Sequence, residues 1–172
     1  DQVQMVATEN RGYGAAANLG FAVADGASSI VLLNDDVTVR PGWLDPLVAA
    51  LHSDGVGAVQ PALLGPDGNV ASLGVEFARF GAGRDIGDGL PLPVDRGPRE
   101  IDVFTGGAVL FDAEFLRTTG GFDERFFLYY EDVDLAERGR RLGWRFRVVP
   151  SSTVEHRRGS STGQREQETR YL

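Results

Sequence analysis

Three polar residues, Asn34, Asp35 and Asp36, follow an apolar run without a break. The run predicts a strand over Ser29–Leu33 that is buried on both faces. Ligands of open α/β sheets bind beyond the carboxyl ends of the strands. Adjacent carboxylates at such an end suit Mg²⁺ or Mn²⁺, which in turn can hold a diphosphate. A solvated turn with a helix cap is the structural alternative, because Asp and Asn favour both.

A second acidic cluster, Glu131-Asp132-Val133-Asp134, follows the aromatic run Phe126–Tyr130. A carboxylate beside bulky aromatic side chains can have a raised pKa and act as a general base. Acidic residues also occur in the first turn of a helix simply because they interact favourably with the helix dipole. We favour this second explanation for Asp134, whereas the aromatic approach favours a site at Glu131 and Asp132.

Two further features have residue types that suit a site. His156 follows the last predicted strand, and a neutral imidazole can complete a Mg²⁺ or Mn²⁺ ligand set; a surface histidine is the simpler alternative. Gly106 and Gly107 lie between two strand-like runs, where glycine permits a close approach of backbone to ligand or only a structural bend. The sequence has no glycine-rich phosphate loop of the P-loop or dinucleotide type.

The elements that position these residues alternate between strands and helices in the first half of the chain. This alternation predicts an α/β domain with a largely parallel sheet. The predicted elements of the first half are a short strand at Val3–Val6, a helix over Ala15–Ala24, the strand Ser29–Leu33, a helix from Pro41 and a strand at Val56–Gln60. Those of the second half are a hairpin over Pro61–Phe77, a mobile loop over Gly81–Gly97, strands at Ile101–Phe104 and Ala108–Phe111, a helix capped by Asp112, a helix from Glu131 to Leu142 and a strand at Trp144–Val149.

The composition restricts the class of protein. A length of 172 residues suits one domain or a large part of one, and 42% hydrophobic with 24% charged residues is typical of globular chains. The apolar runs are too short to span a bilayer, and no signal peptide is predicted. The lack of Cys and Lys excludes thiolate and Schiff-base chemistry. A net charge of −8 argues against nucleic acid as a partner.

In this order the motifs resemble the family-2 glycosyltransferases, which are inverting enzymes of GT-A fold, and most of all their bacterial rhamnosyltransferase-like branch. The resemblance covers residues 1 to about 160. It implies an α/β, GT-A (Rossmann-like) fold with a mixed, mostly parallel sheet flanked by helices over residues 1–155, and a polar tail over residues 156–172. The matching segments are Asn10-x-Gly12-Tyr13-Gly14-Ala15-Ala16-Ala17-Asn18-Leu19-Gly20, Ile30–Val37, Pro41–Leu44, Thr105–Ala108, Gly121–Phe127 and Tyr130–Leu135.

The resemblance also implies roles for individual residues. Asp36 would hold a Mg²⁺ or Mn²⁺ ion that bridges the donor diphosphate, and His156 would add to the metal ligands. Asp132 would be the catalytic base, with Glu131 as the second candidate. The other residues implied to bind substrate are Asn34, Asp35, Gly106, Gly107, Asn10 and Asn18.

The implied reaction is a single displacement with inversion. A sugar would move from a dTDP- or UDP-linked donor to a hydroxyl of a saccharide or lipid-linked acceptor, during polysaccharide synthesis in the cytoplasm or at the inner membrane face. The family begins with a βαβ unit that holds the nucleotide base and ribose, and Val3–Val6 matches the strand after that unit, so we expect an N-terminally truncated domain. A non-catalytic binding fragment and a metal-dependent sugar nucleotidylyltransferase are the alternatives.

Overall fold

The computed structural model describes residues 3–24, 26–77 and 83–157. Four helices and nine strands are found there. In chain order they are α1 (Tyr13–Val23), β1 (Ser29–Leu33), β2 (Val37–Thr38), α2 (Asp45–Leu51), β3 (Val56–Leu64), β4 (Val70–Ser72), β5 (Val75–Phe77), β6 (Gly83–Asp85), β7 (Arg99–Ile101), β8 (Ala108–Asp112), α3 (Ala113–Thr119), α4 (Glu131–Arg141) and β9 (Arg145–His156).

A seven-stranded mixed sheet forms the centre of the fold. Its strand order is β1-β8-β3-β9-β2, with β4 beside β3 and β7 beside β9, while β5 and β6 form a separate pair. Side chains alternate between the two faces along each strand. One face packs against α1, α3 and α4 through a cluster of buried phenylalanines, and the other packs against α2. Layers of helix on both sides of the sheet therefore bury its central strands.

The phenylalanine cluster requires small residues beside it. Phe104, Phe111, Phe115 and Phe146 are almost fully buried, and their ring centroids lie 5.1–6.3 Å apart. A Cβ placed on Gly139 of α4 would lie 2.5 Å from the Phe115 ring. This glycine lets α4 approach the sheet closely and so fixes the position of the helix that begins with the acidic cluster.

The mixed sheet with flanking helices is confirmed, but the expectation of a mostly parallel sheet is wrong for the described strands. Only β3 and β9 pair in parallel there, and the five other pairs of the sheet are antiparallel. β8 returns against both β1 and β3, so it reverses the direction of the sheet between them. Strand direction depends on this long-range pairing and not on local alternation.

Two of the strands predicted near the beginning of the chain differ from those in the structure. Val3–Val6 has no strand structure; Val3 and Met5 are almost fully exposed, and no described strand pairs with them. β1 has the predicted bounds but is half-buried, not buried on both faces. Among the described strands it pairs only with β8, which leaves it at an edge of the sheet.

Several other predicted bounds are also corrected. The helix predicted from Pro41 begins at Asp45, with Pro46 in its first turn, because Pro41 belongs to the preceding turn. The described part of the predicted loop Gly81–Gly97 contains β6, and Ile86 and Leu92 pack on the core. Residues 78–82 and 158–172, and with them most of the predicted tail, lie outside the described residues.

The final strand is longer than predicted. β9 continues through Pro150 to His156, because its register against β3 shifts at Pro61/Ala62 and so accommodates the proline. The boundary predicted between residues 155 and 156 therefore falls inside a strand. Among the described residues, no helix has the length and apolar character needed to cross a membrane.

Candidate active site

Asp36 and His156 form the first half of the candidate site. A turn after β1, closed by the Val37 N–H donating to the Asn34 carbonyl at 3.2 Å, carries Asp36. β2 then pairs antiparallel with β9 so that Val37 lies opposite His156. This register brings His156 Nε2 to 3.1 Å from Asp36 Oδ1, with 16% and 11% of the two side chains exposed. The Arg157 N–H, donating to the Asp36 carbonyl at 3.0 Å, holds the turn from the same side.

The pair lies at the edge of a cleft of about 890 Å³ that Asn34, Asp35, Leu128 and Tyr129 also line. Three buried polar atoms at this edge have no hydrogen-bond partner among the described residues: Asn34 Oδ1, Asp36 Oδ1 and His156 Nδ1. Buried polar atoms are usually paired, so unpaired ones in a cleft indicate a ligand. Asp36 Oδ1 and His156 Nε2 are close enough for an ion pair, but their orientation does not make a hydrogen bond.

This donor set fits a divalent cation that takes further ligands from a substrate. No group of three or more His, Asp or Glu side chains that could hold an ion is found in the described part of the chain. Mg²⁺ is commonly bound by one or two carboxylates together with water and substrate phosphates. Asp36 provides the carboxylate for that mode of binding, and His156 adds an imidazole nitrogen beside it.

Asp132 lies in the first turn of α4, and backbone N–H groups hold both of its carboxylate oxygens. Oδ1 accepts from the Val133 N–H at 2.8 Å, and Oδ2 accepts from the Gly106 N–H at 3.1 Å. Burial raises the pKa of Asp132, and these hydrogen bonds to the charged form oppose the rise. The carboxylate is thus fixed in orientation and more basic than an exposed aspartate.

Glu131 precedes it and is more deeply buried, with 6% of the residue exposed. Its Oε2 has no hydrogen-bond partner in the described residues. Burial raises the pKa of Glu131 to about 7, and the nearby charge of Asp132 adds to the rise. Tyr13 faces the same pair: burial, and then the charges of Glu131 and Asp132, raise the pKa of its phenol. Two carboxyls and one phenol therefore share a poorly hydrated environment.

The dipeptide Gly106-Gly107 connects the two halves of the site. The Gly106 N–H binds Asp132, and the Gly106 carbonyl accepts from the Tyr13 hydroxyl at 2.6 Å. The Gly107 carbonyl accepts from the Asn34 N–H at 3.0 Å. A Cβ at Gly106 would lie 3.3 Å from the Tyr13 ring, and one at Gly107 would lie 3.1 Å from Leu63 Cδ2 and 3.4 Å from His156 Cε1. Little room is therefore left for a side chain at either position.

Two tyrosines with an unusual backbone lead into α4. Tyr129 and Tyr130 have φ values of 69° and 68°, which few residues with a β-carbon adopt. Both side chains are about half exposed. The carbonyl of Phe127 accepts from the Tyr13 N–H at 3.0 Å, so the start of α1 fixes the segment. Strained backbone of this kind persists where the surroundings determine it, and it concentrates at functional sites.

The side chains of Asn18 and Asn10 form hydrogen bonds with backbone groups. Asn18 Oδ1 accepts from the Phe122 N–H at 2.9 Å, and Nδ2 donates to the Phe122 carbonyl at 2.9 Å. Asn10 Oδ1 accepts from the Gly12 N–H at 3.2 Å. Neither residue lines the cleft that holds Asp36. These contacts favour a structural role over the predicted substrate binding, whereas Asp35 is exposed at the cleft as a substrate contact would be.

Sequence reasoning missed Tyr13 and Gln60 as contributors to the site. Gln60 is fully buried on β3, and its Oε1 accepts from the Thr105 N–H at 2.9 Å. A single polar residue within the apolar run Val56–Leu64 is the signal that could have found it. Tyr13 lies inside a recognised motif, but its motif position alone does not show that its hydroxyl reaches Gly106.

Comparison with known proteins assigns the family. The family described as "Glycosyl transferase family 2" matches residues 1–113. The chain belongs to this family. The assignment confirms the resemblance found in the sequence and removes the sugar nucleotidylyltransferase from consideration.

Curated relatives of this family-2 chain include a rhamnosyltransferase and an O-antigen biosynthesis protein. An N-acetylglucosaminyl-diphospho-decaprenol L-rhamnosyltransferase of Mycobacterium tuberculosis is 32% identical over 178 residues, with 90% of this chain and 58% of the relative covered. The O-antigen biosynthesis protein RfbC of Myxococcus xanthus is 33% identical over 158 residues, with 87% and 12% covered. The chain thus spans less than two thirds of each relative.

Solved structures confirm the GT-A fold of this family-2 chain. GalNAc-T7, solved with UDP, GalNAc and Mn²⁺, has a TM-score of 0.68 at 18% identity, covering 85% of this chain and 30% of that one. The mannosyltransferase PcManGT from Pyrobaculum calidifontis, in complex with GDP-Man and Mn²⁺, has a TM-score of 0.59 at 16% identity, covering 90% and 39%. At these identities the likeness concerns the fold.

Proposed function

We propose that this family-2 domain takes part in inverting transfer of a sugar from a nucleoside-diphosphate donor to an acceptor hydroxyl. The observation that carries the proposal is the hydrogen bonding of Gly106-Gly107. The Gly106 N–H orients the Asp132 carboxylate. The Gly107 carbonyl accepts from the N–H of Asn34, which lies close to Asp36. One rigid backbone segment therefore links a candidate base to a candidate diphosphate site, as a displacement between two substrates requires.

The donor side of the proposal uses Asp36 and His156, with Asn34 and Asp35 as further contacts to the donor. The unpaired buried atoms there support a Mg²⁺ or Mn²⁺ ion as the group held. Such an ion neutralises the charge that develops on a departing diphosphate. Two structural neighbours were solved with Mn²⁺ and with UDP or GDP-Man, which supports a nucleotide-linked donor.

The acceptor side of the proposal uses Asp132 as general base. The carboxylate accepts the proton of the acceptor hydroxyl while that oxygen bonds to the anomeric carbon. The bond from the same carbon to the diphosphate oxygen breaks on the opposite face, so the configuration inverts. The raised pKa of Asp132 brings its basicity closer to a neutral working pH, where a general base is most effective. Glu131 is the second candidate for this role.

We further propose a rhamnose-type sugar, a dTDP or UDP carrier and a saccharide or lipid-linked acceptor. The name of the M. tuberculosis relative, which includes a diphospho-decaprenol acceptor and L-rhamnosyl transfer, supports this choice. The name of the M. xanthus relative supports a role in surface polysaccharide. A lipid-linked acceptor would place the reaction at the inner face of the membrane, in contact with the cytoplasm.

The proposal is tested by comparing Asp132→Asn with Asp134→Asn in the full-length protein. Asp134 lies in the same helix turn but pairs with Arg138 at 2.7 Å. We expect Asp132→Asn to lower kcat at least about a hundredfold, in line with the loss of a general base, with donor affinity retained. Asp134→Asn should keep its kcat and lose only stability. Equal activity in both variants would contradict the assignment, and donor binding without turnover in the wild type would favour a binding fragment.

A further inference from the structure

Gln60 is a polar side chain in an otherwise apolar part of the core. It is fully buried on β3, between Val59 and Pro61. Its Oε1 accepts from the Thr105 N–H at 2.9 Å, and its Nε2 donates to the neighbouring Pro61 carbonyl at 3.3 Å. Burying an amide costs free energy unless its groups are paired, so apolar packing alone would favour a residue such as Leu or Met here. The contact with Thr105 is the one that reaches a distant segment of the chain, between β7 and β8.

Thr105 begins the segment that contains the two site glycines. Its Oγ1 accepts from the Gly107 N–H at 3.3 Å, which closes a tight turn around Gly106. The Tyr13 hydroxyl holds the Gly106 carbonyl from α1. Gln60 thus fixes the start of the segment from the sheet, and Tyr13 fixes its middle from the helix layer. Between these two contacts the Gly106 N–H is directed at Asp132 Oδ2.

We infer that Gln60 is a positioning residue for Asp132, acting through Thr105 and the Gly106 N–H. The inference rests on the proposed function, since it concerns the residue that we assign as base. If Thr105 loses its acceptor on β3, the segment can shift, and the Gly106 N–H no longer orients the carboxylate. Misplacement of a catalytic group by about 1 Å can lower a rate about a hundredfold.

Three variants separate positioning from stability. Gln60→Met keeps the length of the side chain and removes the acceptor. Gln60→Glu keeps an oxygen for the Thr105 N–H but buries a carboxyl, so it should lower the melting temperature more than Met does. Ser72→Ala is the matched control: Ser72 is also buried, and its Oγ binds only the backbone of Gly74 in the described structure.

We expect the ranking of the variants by kcat to differ from their ranking by melting temperature. Gln60→Met should lower kcat of the full-length protein about tenfold or more while the KM for the donor stays within about twofold. Gln60→Glu should recover much of this kcat although it is the less stable variant. Ser72→Ala should keep the wild-type kcat.

Two readouts do not require turnover. Amide hydrogen exchange of Gly106, measured by NMR, should accelerate in Gln60→Met and not in Ser72→Ala. The Asp132 carboxyl should titrate at a higher pH in Gln60→Met, because a hydrogen bond to its charged form is weakened. Glu131 on α4, Tyr13 on α1 and Asp85 on β6 also face Asp132, and they are the same in all variants.

The inference is overturned if Gln60→Met leaves Gly106 exchange and the Asp132 titration unchanged. It is also overturned if the kcat of the variants follows their melting temperatures, since a merely structural role gives that order. Asp132→Asn in the same assay tests the proposed function separately. Should that variant retain transfer, the assigned base is wrong, while the two NMR readouts still decide whether Gln60 positions Asp132.

Discussion

Val37 pairs with His156 across the antiparallel contact of β2 and β9. Because the residue before Val37 is Asp36, this register places a carboxylate next to an imidazole, with 3.1 Å between Asp36 Oδ1 and His156 Nε2. Two residues that are far apart in the chain thus meet at one edge of the cleft. Both side chains are held by a strand pair, which fixes their separation before any ligand arrives.

Removal of either member of this pair should abolish a metal-dependent gain in stability. With Mn²⁺ and UDP or dTDP present, we expect the melting temperature of the full-length protein to rise by a few degrees, because a ligand at about 100 times its Kd adds roughly 2.7 kcal/mol. Asp36→Ala and His156→Ala should remove this rise. Differential scanning fluorimetry with and without the metal measures it.

Asp54→Ala is a suitable control for this experiment, since Asp54 is exposed and does not line the cleft. It should keep the full metal-dependent rise. A rise that survives in Asp36→Ala and His156→Ala would place the ion elsewhere and would remove the donor half of the proposed site.

The two acidic clusters could be predicted from sequence because each lies at the boundary of a strongly patterned element. Asp36 follows the apolar strand β1, and Asp132 opens the helix α4. The residue pattern alone did not indicate the contact between Asp36 and His156, which only the family resemblance implied by giving both residues to one metal ion. β2 has only two residues, too few to show a period, and Pro150 indicated the end of a strand that in fact continues to His156.

The direction of the strands could not be predicted from the sequence pattern either. Alternating strands and helices favour parallel pairing, but β8 inserts between β1 and β3 and runs against both. That insertion depends on contacts between segments far apart in the chain. The hydrogen bonds of Asn18 were missed for the same reason, because their partner Phe122 lies on a distant turn.

Asn18 is expected to stabilise the fold without contributing to donor affinity. Asn18→Ala removes both hydrogen bonds to the Phe122 backbone and leaves a partly buried N–H unpaired, at a cost of about 2 kcal/mol. Urea unfolding measures this loss, and calorimetric titration with the donor measures affinity. Unchanged stability together with weaker donor binding would instead support the prediction from sequence that Asn18 binds substrate.

Gly12, directly before α1, and Gly20, inside it, provide an opposed pair of tests. Gly12 has a φ of 101°, and a Cβ there would lie 2.4 Å from the Phe127 carbonyl oxygen; Gly20 has open space around it. Gly12→Ala should therefore cost about 2–4 kcal/mol and disturb the segment before Glu131. Gly20→Ala, in the exposed helix interior, should stabilise by about 0.5–1 kcal/mol. Thermal unfolding of both variants measures whether stability falls in the first and rises in the second. If Gly12→Ala left the stability unchanged, α1 would not hold Phe127 tightly.

Glu131 should make the stability of the protein depend on pH. Burial raises the pKa of Glu131 to about 7 in the folded chain, from an ordinary value of 4.5. Between these values the folded state binds more protons than the unfolded state, so the free energy of unfolding falls as the pH rises through this window. The total loss is on the order of 3 kcal/mol. Burial raises the pKa of Asp132 as well, which adds a change of the same sign.

Glu131→Gln isolates this contribution, because the amide resembles the protonated carboxyl at every pH. The variant should match the wild type near pH 5 and exceed its stability near pH 8, when urea unfolding is followed across about that range. Glu114→Gln, an exposed change on α3, should leave the decline of the wild type in place. If the two variants decline equally between these pH values, the Glu131 carboxyl is ionised in the folded protein. Its burial beside Asp132 would then not keep it protonated.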